Sequence, residues 1–358
     1  MRGDRRPRVP DASPARAVEH VRGSRAAPGV RTKGAAVRRG GEASLAARAE
    51  PRARPTRGLP RRRRPVASGA AAGVSFTTPD GRKLTYRKLG HGPVLVCHPG
   101  GPGFSSTYFS DLAALWEQNT LIMLNPRGTG GSDRPADPRA YQIDDYVADV
   151  ESLREHLGLE RIQLLGHSHG GVIAIAYAAT HPRRVRRLVL ASTLARFGPE
   201  QETAMRKGME KRAGQEWCAD AIAALEEEQA GHFESDEELS HLVFRELPLY
   251  FAHYGAVEAG YLDTLRTETI NADALKLFNQ EIFTTFDLRS RLPSITSQTL
   301  VLTGDEDFIC GPVCAEEICA GIPGARFVMV GDSGHQVFIE QPQSFHDEVA
   351  DFLASPPR

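Results

Sequence analysis

Gly166-His167-Ser168-His169-Gly170 sets a hydroxyl between two glycines, with Gly171 a third small residue beside them. Residues that small let a strand and a helix meet at a sharp turn, which would lift the serine Oγ clear of its surroundings. Serine attacks a carbonyl poorly until a base takes its proton. Of the twelve histidines, His335 in Gly331-Asp332-Ser333-Gly334-His335 is the candidate base, since it follows an apolar run in a loop free to reach across. A base of this kind works best when a carboxylate orients its ring. Gly304-Asp305-Glu306-Asp307 follows another apolar run, and Asp307 is the choice, with Asp305 the competitor and Glu306 and Asp332 behind it.

Attack on a carbonyl creates an oxyanion, which needs N–H donors already in place. His98-Pro99-Gly100-Gly101-Pro102-Gly103 follows the apolar run Val94–Cys97 and leaves its amides unshielded. The N–H groups of Gly101 and His169 are the expected pair. A phosphate-cradling loop is set aside because the lysine such a loop needs is missing. The rings of His167 and His169 are expected to project away from the Ser168 Oγ and either to shape the pocket or to pack.

The elements that must position these groups read clearly from Val74 onward. Val74–Thr78 and Lys83–Leu89 are extended runs joined at Pro79-Asp80-Gly81. Short apolar strands at Val94–Cys97, Leu121–Leu124, Ile162–Leu165 and Val185–Leu190 then alternate with helices over about 107–117, 143–157 and 170–179. The alternation implies a mostly parallel sheet covered by helices on both faces, an α/β architecture. It stops between about Arg196 and Arg289, where only helices are expected, and resumes at Leu300–Thr303 and Phe327–Val330 before a last helix over 337–353. The domains expected are a core from 74–195 and 291–358, interrupted after the sixth strand by a helical cap over 196–290.

Charge divides the chain as well. Residues 1–73 carry 19 basic residues against 5 acidic and no Phe, Tyr, Trp or Ile, whereas the remaining residues hold 25 bases and 40 acids. The first segment has too little apolar surface to offset chain entropy and is expected to be a disordered arm. Two readings of it stay open: a translation start placed before a true one near Val74, or a basic arm, for which nucleic acid is the weaker expectation because no aromatics are interleaved. No apolar run follows its arginines, so no secretory signal is read, and no run elsewhere is long enough for a membrane span. Five cysteines without metal-ligand spacing are expected to be buried or partly buried thiols. A cytoplasmic protein without metal or cofactor is expected, acting on a small molecule or short peptide; its oligomeric state is left open.

Taken together, the loop 98–103, Asn125-Pro126-Arg127-Gly128-Thr129-Gly130-Gly131-Ser132, the Ser168 turn, and the Asp307 and His335 loops resemble the proline iminopeptidase branch of the α/β-hydrolases. The Ser–Asp–His chain order agrees with that class. The resemblance covers about 280 residues and implies an α/β-hydrolase core with a helical cap. It also implies cofactor-free removal of an N-terminal proline, or cleavage of related amides and esters, with cap carboxylates holding the substrate's amine. Two departures stand out. Asn125 replaces an aspartate common in the family, and no cap glutamate matches residue by residue, Glu246 in Arg245-Glu246-Leu247-Pro248-Leu249-Tyr250-Phe251 being the nearest candidate. Arg127 is expected to anchor its loop rather than take part in chemistry. The rivals are an esterase, lactonase or biosynthetic hydrolase with the same three residues, whose pocket Phe244, Tyr250, Phe251 and Tyr254 could line although the ordinary core of the cap is their expected place, and a catalytically silent binding protein.

Overall fold

A computed structural model of the protein describes residues 73–356; the basic arm expected over 1–73 lies outside them but for Gly73. Eight strands form one sheet: β1 Val74–Thr77, β2 Lys83–Leu89, β3 Val94–His98, β4 Thr120–Asn125, β5 Ile162–His167, β6 Val185–Ala191, β7 Gln298–Gly304 and β8 Arg326–Val330. Their spatial order is β1-β2-β4-β3-β5-β6-β7-β8. β2 pairs antiparallel with β1 and β4, and every later pair is parallel. The expected mostly parallel α/β sheet is therefore the one observed. The physical reason lies in β4 and β5, each buried along its whole length. Strands covered on both faces need continuous apolar runs rather than alternation.

Helices α1 Ile143–His156 and α2 His169–Thr180 follow β4 and β5. Between β6 and β7 come α3 Pro199–Arg212, α4 Cys218–Gln229, α5 Asp236–Glu246, α6 Ala256–Leu265 and α7 Ala272–Leu277, with no strand among them. α8 Pro312–Gly321 joins β7 to β8, and α9 Val337–Glu340 and α10 Pro342–Ala354 close the chain. Phe233, Leu239, Val243, Phe251, Tyr261 and Leu262 form a separate apolar cluster within the inserted helices. Four of the cysteines are buried, Cys319 is partly so, and all five are free thiols.

Two expected helices take another form. Residues 107–117 make two short 3₁₀ turns, Ser106–Phe109 and Leu115–Glu117, with Ser110, Leu112, Ala113 and Ala114 at positive φ between them. Burying Tyr108, Phe109, Leu112 and Leu115 together overrides the helical periodicity of this stretch. The last helix breaks at Gln341, where Pro342 supplies no N–H and biases its predecessor away from the helical region.

The loop after β4 is tied down as expected of an arginine anchor. Arg127 is 1% exposed, and its guanidinium grips Asp149 through Nε–Oδ2 at 2.7 Å and Nη2–Oδ1 at 2.8 Å while also donating to the Ala140 and Asp145 carbonyls. Arg127→Ala would leave the buried Asp149 carboxylate with only the Arg82 guanidinium, 3.4 Å away, so a loss of about 3 kcal/mol is expected, read as a lowered urea midpoint at unchanged slope. Asn125 also has a local reason. Its Oδ1 accepts from the Ser106 amide at 2.8 Å, while its Nδ2 donates to Thr85 Oγ1 and to the Gly130 carbonyl. An aspartate could not make those two donations.

Candidate active site

The strand order reverses at β3, which lies between β4 and β5, and crevices for ligands open at the carboxyl ends of strands at such switch points. The loop Pro99–Gly103 leaves β3 here and Ser168 leaves β5. The acid and histidine loops leave β7 and β8 on the same edge, so the sheet gathers four segments from distant parts of the chain.

Ser168 sits between β5 and α2 at φ 55°, ψ −124°. A residue with a side chain rarely adopts such angles, and strain of this kind persists where the surroundings over-determine it. The surroundings here are tight: a Cβ on Gly166 would stand 2.2 Å from the Gly170 carbonyl, and one on Gly170 would stand 2.2 Å from that of His98. Thr193 Oγ1, in the loop just past β6, donates to the Ser168 carbonyl at 2.7 Å and locks the turn. Gly101 has φ +108°, and neither its amide nor that of His169 has a hydrogen-bond partner among the backbone bonds of the described residues.

His335 Nδ1 lies 3.0 Å from Asp307 Oδ2, both side chains essentially buried. Asp307 Oδ1 accepts from the amides of Ile309 and Cys310 at 3.1 and 2.9 Å. Burial by itself would raise this carboxyl's pKa; the His335 ring and the two amides outweigh it and hold the group below its ordinary value. The competitor Asp305 is exposed and accepts instead from the Ser333 amide at 3.2 Å, so it braces the histidine loop from outside. Glu306 pairs with Lys211.

The histidines beside Ser168 do pack, and one does more than expected. His169 is buried against Phe278 and Tyr146, ring centroids 4.9 and 5.2 Å away. His167 lies beneath His335, ring centroids 4.7 Å apart, with Nε2 2.8 Å from the His335 carbonyl and Nδ1 3.0 Å from the Tyr108 hydroxyl. From above, the inserted helices hold the same loop: the His335 amide donates to the Tyr250 carbonyl at 2.7 Å. Glu340 accepts from the amides of Ala252 and Gly334 at 2.7 and 2.9 Å.

Ser168, His335, Gly101 and His169 line one cavity, roofed by Glu228 of α4 and Glu246 of α5. Glu246 is 3% exposed, and its Oε2 has no hydrogen-bond partner among the described residues. Burial, then the charge of Glu228, lifts its carboxyl well above the ordinary range. Glu228 accepts from Asn279 Nδ2 at 3.0 Å, and burial raises it to about 7. The apolar wall includes Val172, Leu194, Val243 and Phe278. Of the aromatic group considered for the pocket, Tyr250 lines the cavity, whereas Phe244 and Phe251 belong to the apolar cluster of the inserted helices.

Glu246 was singled out from its sequence context; Glu228 was not, although helical periodicity carries the signal for both. Along α4 the buried residues after Cys218 are Ala221, Ala224, Leu225 and Glu228, and Leu239, Leu242, Val243 and Glu246 repeat the spacing among the buried residues of α5. A carboxylate at the end of an i, i+3, i+4, i+7 apolar stripe faces inward, unlike its neighbours Glu226 and Glu227.

Comparison with known proteins agrees with this architecture. Residues 93–342 match the α/β hydrolase fold family, and the chain belongs to it. A proline iminopeptidase of Levilactobacillus brevis is 26% identical over 276 residues, spanning 74% of this chain and 88% of that protein. Among solved structures, the enol-lactonase of Burkholderia xenovorans LB400 superposes with a TM-score of 0.61 at 28% identity, covering 79% of this chain and 100% of that one. The proline iminopeptidase of Mycobacterium smegmatis shares the fold with a TM-score of 0.60 at 20% identity, covering 79% and 97%. Among the described residues no helix is long and apolar enough to cross a membrane.

Proposed function

We propose that this chain is a serine hydrolase of the aminopeptidase type, cleaving the amide that follows a free N-terminal residue, in the manner of the proline iminopeptidases. The supporting observation is the buried Glu246 carboxylate, whose Oε2 has no partner among the described residues, in the cavity that also holds Ser168 and His335. A buried carboxylate oxygen left without a donor is costly, and an ammonium group is a ligand that relieves it.

In this reading the substrate amine rests between Glu228 and Glu246, which sets the adjacent carbonyl over Ser168. His335 Nε2 takes the hydroxyl proton as Oγ attacks, and Asp307 stabilises the imidazolium that forms. The oxyanion is received by the amides of Gly101 and His169. The proton then passes from His335 to the leaving amine, and water, activated by the same ring, releases the acyl group. No metal or cofactor is required by this sequence of steps.

Glu246→Gln keeps the shape and removes the charge. The ratio of kcat/KM for an L-prolyl anilide to that for its N-acetyl counterpart is expected to fall about 10–100-fold. An unmoved ratio, or a wild type that prefers the acetylated substrate, would overturn the amine-binding role. The pH profile follows from the same pair. Glu228, raised by burial to about 7, is neutral below that value, so its attraction for a cation is present above about 7 and fades as pH falls through it. Glu246, raised further still above the carboxylate range, adds its charge only when a cation is bound beside it. The acid limb of kcat/KM is therefore expected to be steeper for the free-amine substrate than for the acetylated one.

A second reading, an esterase or lactonase, is favoured by the apolar wall of the cavity and by the enol-lactonase likeness. Faster turnover of simple phenyl esters than of any aminoacyl anilide would select it.

A further inference from the structure

Gln336, the residue after His335, is 1% exposed and lines the cavity. Its Nε2 lies 2.8 Å from the Tyr108 hydroxyl, and its Oε1 has no hydrogen-bond partner among the described residues. Which end of a side-chain amide is the oxygen must be settled from the bonding around it. Here a chain of bonds settles it, beginning at an atom whose role admits no choice.

The His335 carbonyl can only accept, so His167 Nε2, 2.8 Å away, carries the proton and donates. Burial pushes the His167 pKa down to about 3, so the ring is neutral and its Nδ1 is an acceptor. The Tyr108 hydroxyl, 3.0 Å from Nδ1, must then spend its single proton there. With that proton committed, Tyr108 Oη can only accept from Gln336, which fixes the NH₂ end toward Tyr108. The carbonyl end is left over, a buried acceptor without a donor.

Its location bears on the reaction. Tyr108 Oη and Ser168 Cβ lie 2.8 and 3.1 Å from the point a Cβ on Gly100 would occupy, so the Gln336 amide stands one hydrogen bond from the immediate surroundings of the nucleophile. The residue before it is the one that returns a proton to the leaving group. The amine end of the substrate is taken up by the carboxylates of α4 and α5, so the donor this carbonyl awaits belongs to the other half.

We infer that Gln336 is a specificity-determining residue whose side-chain carbonyl accepts the N–H of the leaving group, so that the site favours secondary amides over esters of the same acyl group. The inference rests on the serine-hydrolase reading. Its physical basis is that a site built to receive a donor leaves a buried acceptor unpaired when the substrate lacks one. An ester oxygen brings no hydrogen to that acceptor.

The test compares the anilide and the phenyl ester of one acyl group, chosen as the acyl group the wild type cleaves best. In Gln336→Leu, the anilide-to-ester ratio of kcat/KM is expected to fall about tenfold. Tyr108→Phe releases the amide to rotate, so the ratio should fall there too, but not further once Gln336 is leucine. A ratio within twofold of wild type in Gln336→Leu overturns the inference, whether both rates drop together, as a purely structural role would produce, or neither moves. Wild-type turnover of esters alone overturns it as well while leaving the serine-hydrolase reading standing. That reading fails separately, if Ser168→Ala still cleaves both substrates.

Discussion

Ser168→Ala is expected to lower kcat by on the order of 10⁵–10⁶ on every substrate the wild type cleaves, and to abolish labelling by a fluorophosphonate. The size follows from the division of labour in the cavity. Amides at an oxyanion site and a substrate cradle can still accelerate attack by water, which keeps a residual rate above the uncatalysed one, but no covalent step remains. Alanine suits the test because it keeps a Cβ at φ 55°, so the turn bears the same backbone constraint. An unfolding curve superimposable on that of the wild type would confirm that chemistry alone has been removed. Retention of a tenth of the activity would exclude Ser168 as the nucleophile and, with it, the proposed acyl-enzyme.

The second expectation is a loss of about 10⁴ in kcat for Asp307→Asn, through the wrong tautomer of the base rather than a broken fold. The surroundings of Asp307 decide which way an asparagine would sit. The amides of Ile309 and Cys310 both point at Oδ1, so the asparagine carbonyl must take that place and its NH₂ must face His335 Nδ1. An imidazole that accepts at Nδ1 carries its proton on Nε2, where it cannot receive one from Ser168. Asp305→Asn is the matched control, since Asp305 touches the Ser333 amide and lies outside the cavity. Its effect is expected to be small beside that of Asp307→Asn. The reverse ranking, read from initial rates on one substrate, would move the acid to Asp305 and overturn the assignment.

The two acids show how far reading along the chain can go. Asp305 and Asp307 follow the same strand within three residues of its end, and nothing in that spacing decides which of them meets the histidine. The structure separates them by direction: the main chain turns after Gly304, sending Asp305 outward and Asp307 under the histidine. His167 is another case. Its neighbours marked it as packing, and nothing local said that it would support the His335 carbonyl, 168 residues away. Stretch 107–117 fails for a related reason, because the burial of four large side chains was decided by the sheet beneath them and not by local propensity.

The order of strands and helices, the break for an inserted helical segment, and the small residues around Ser168 were all legible in the amino acids, because each is a local demand. Continuous apolar runs make covered strands, period 3.6 makes helices, and a sharp turn at β5 excludes any side chain at Gly166 and Gly170. Only tertiary structure decided what the inward-facing carboxylates of α4 and α5 cover, which aspartate meets His335, and which end of Gln336 is free. Those depend on distances between atoms far apart in sequence, and a hydrogen bond is won or lost within less than an ångström.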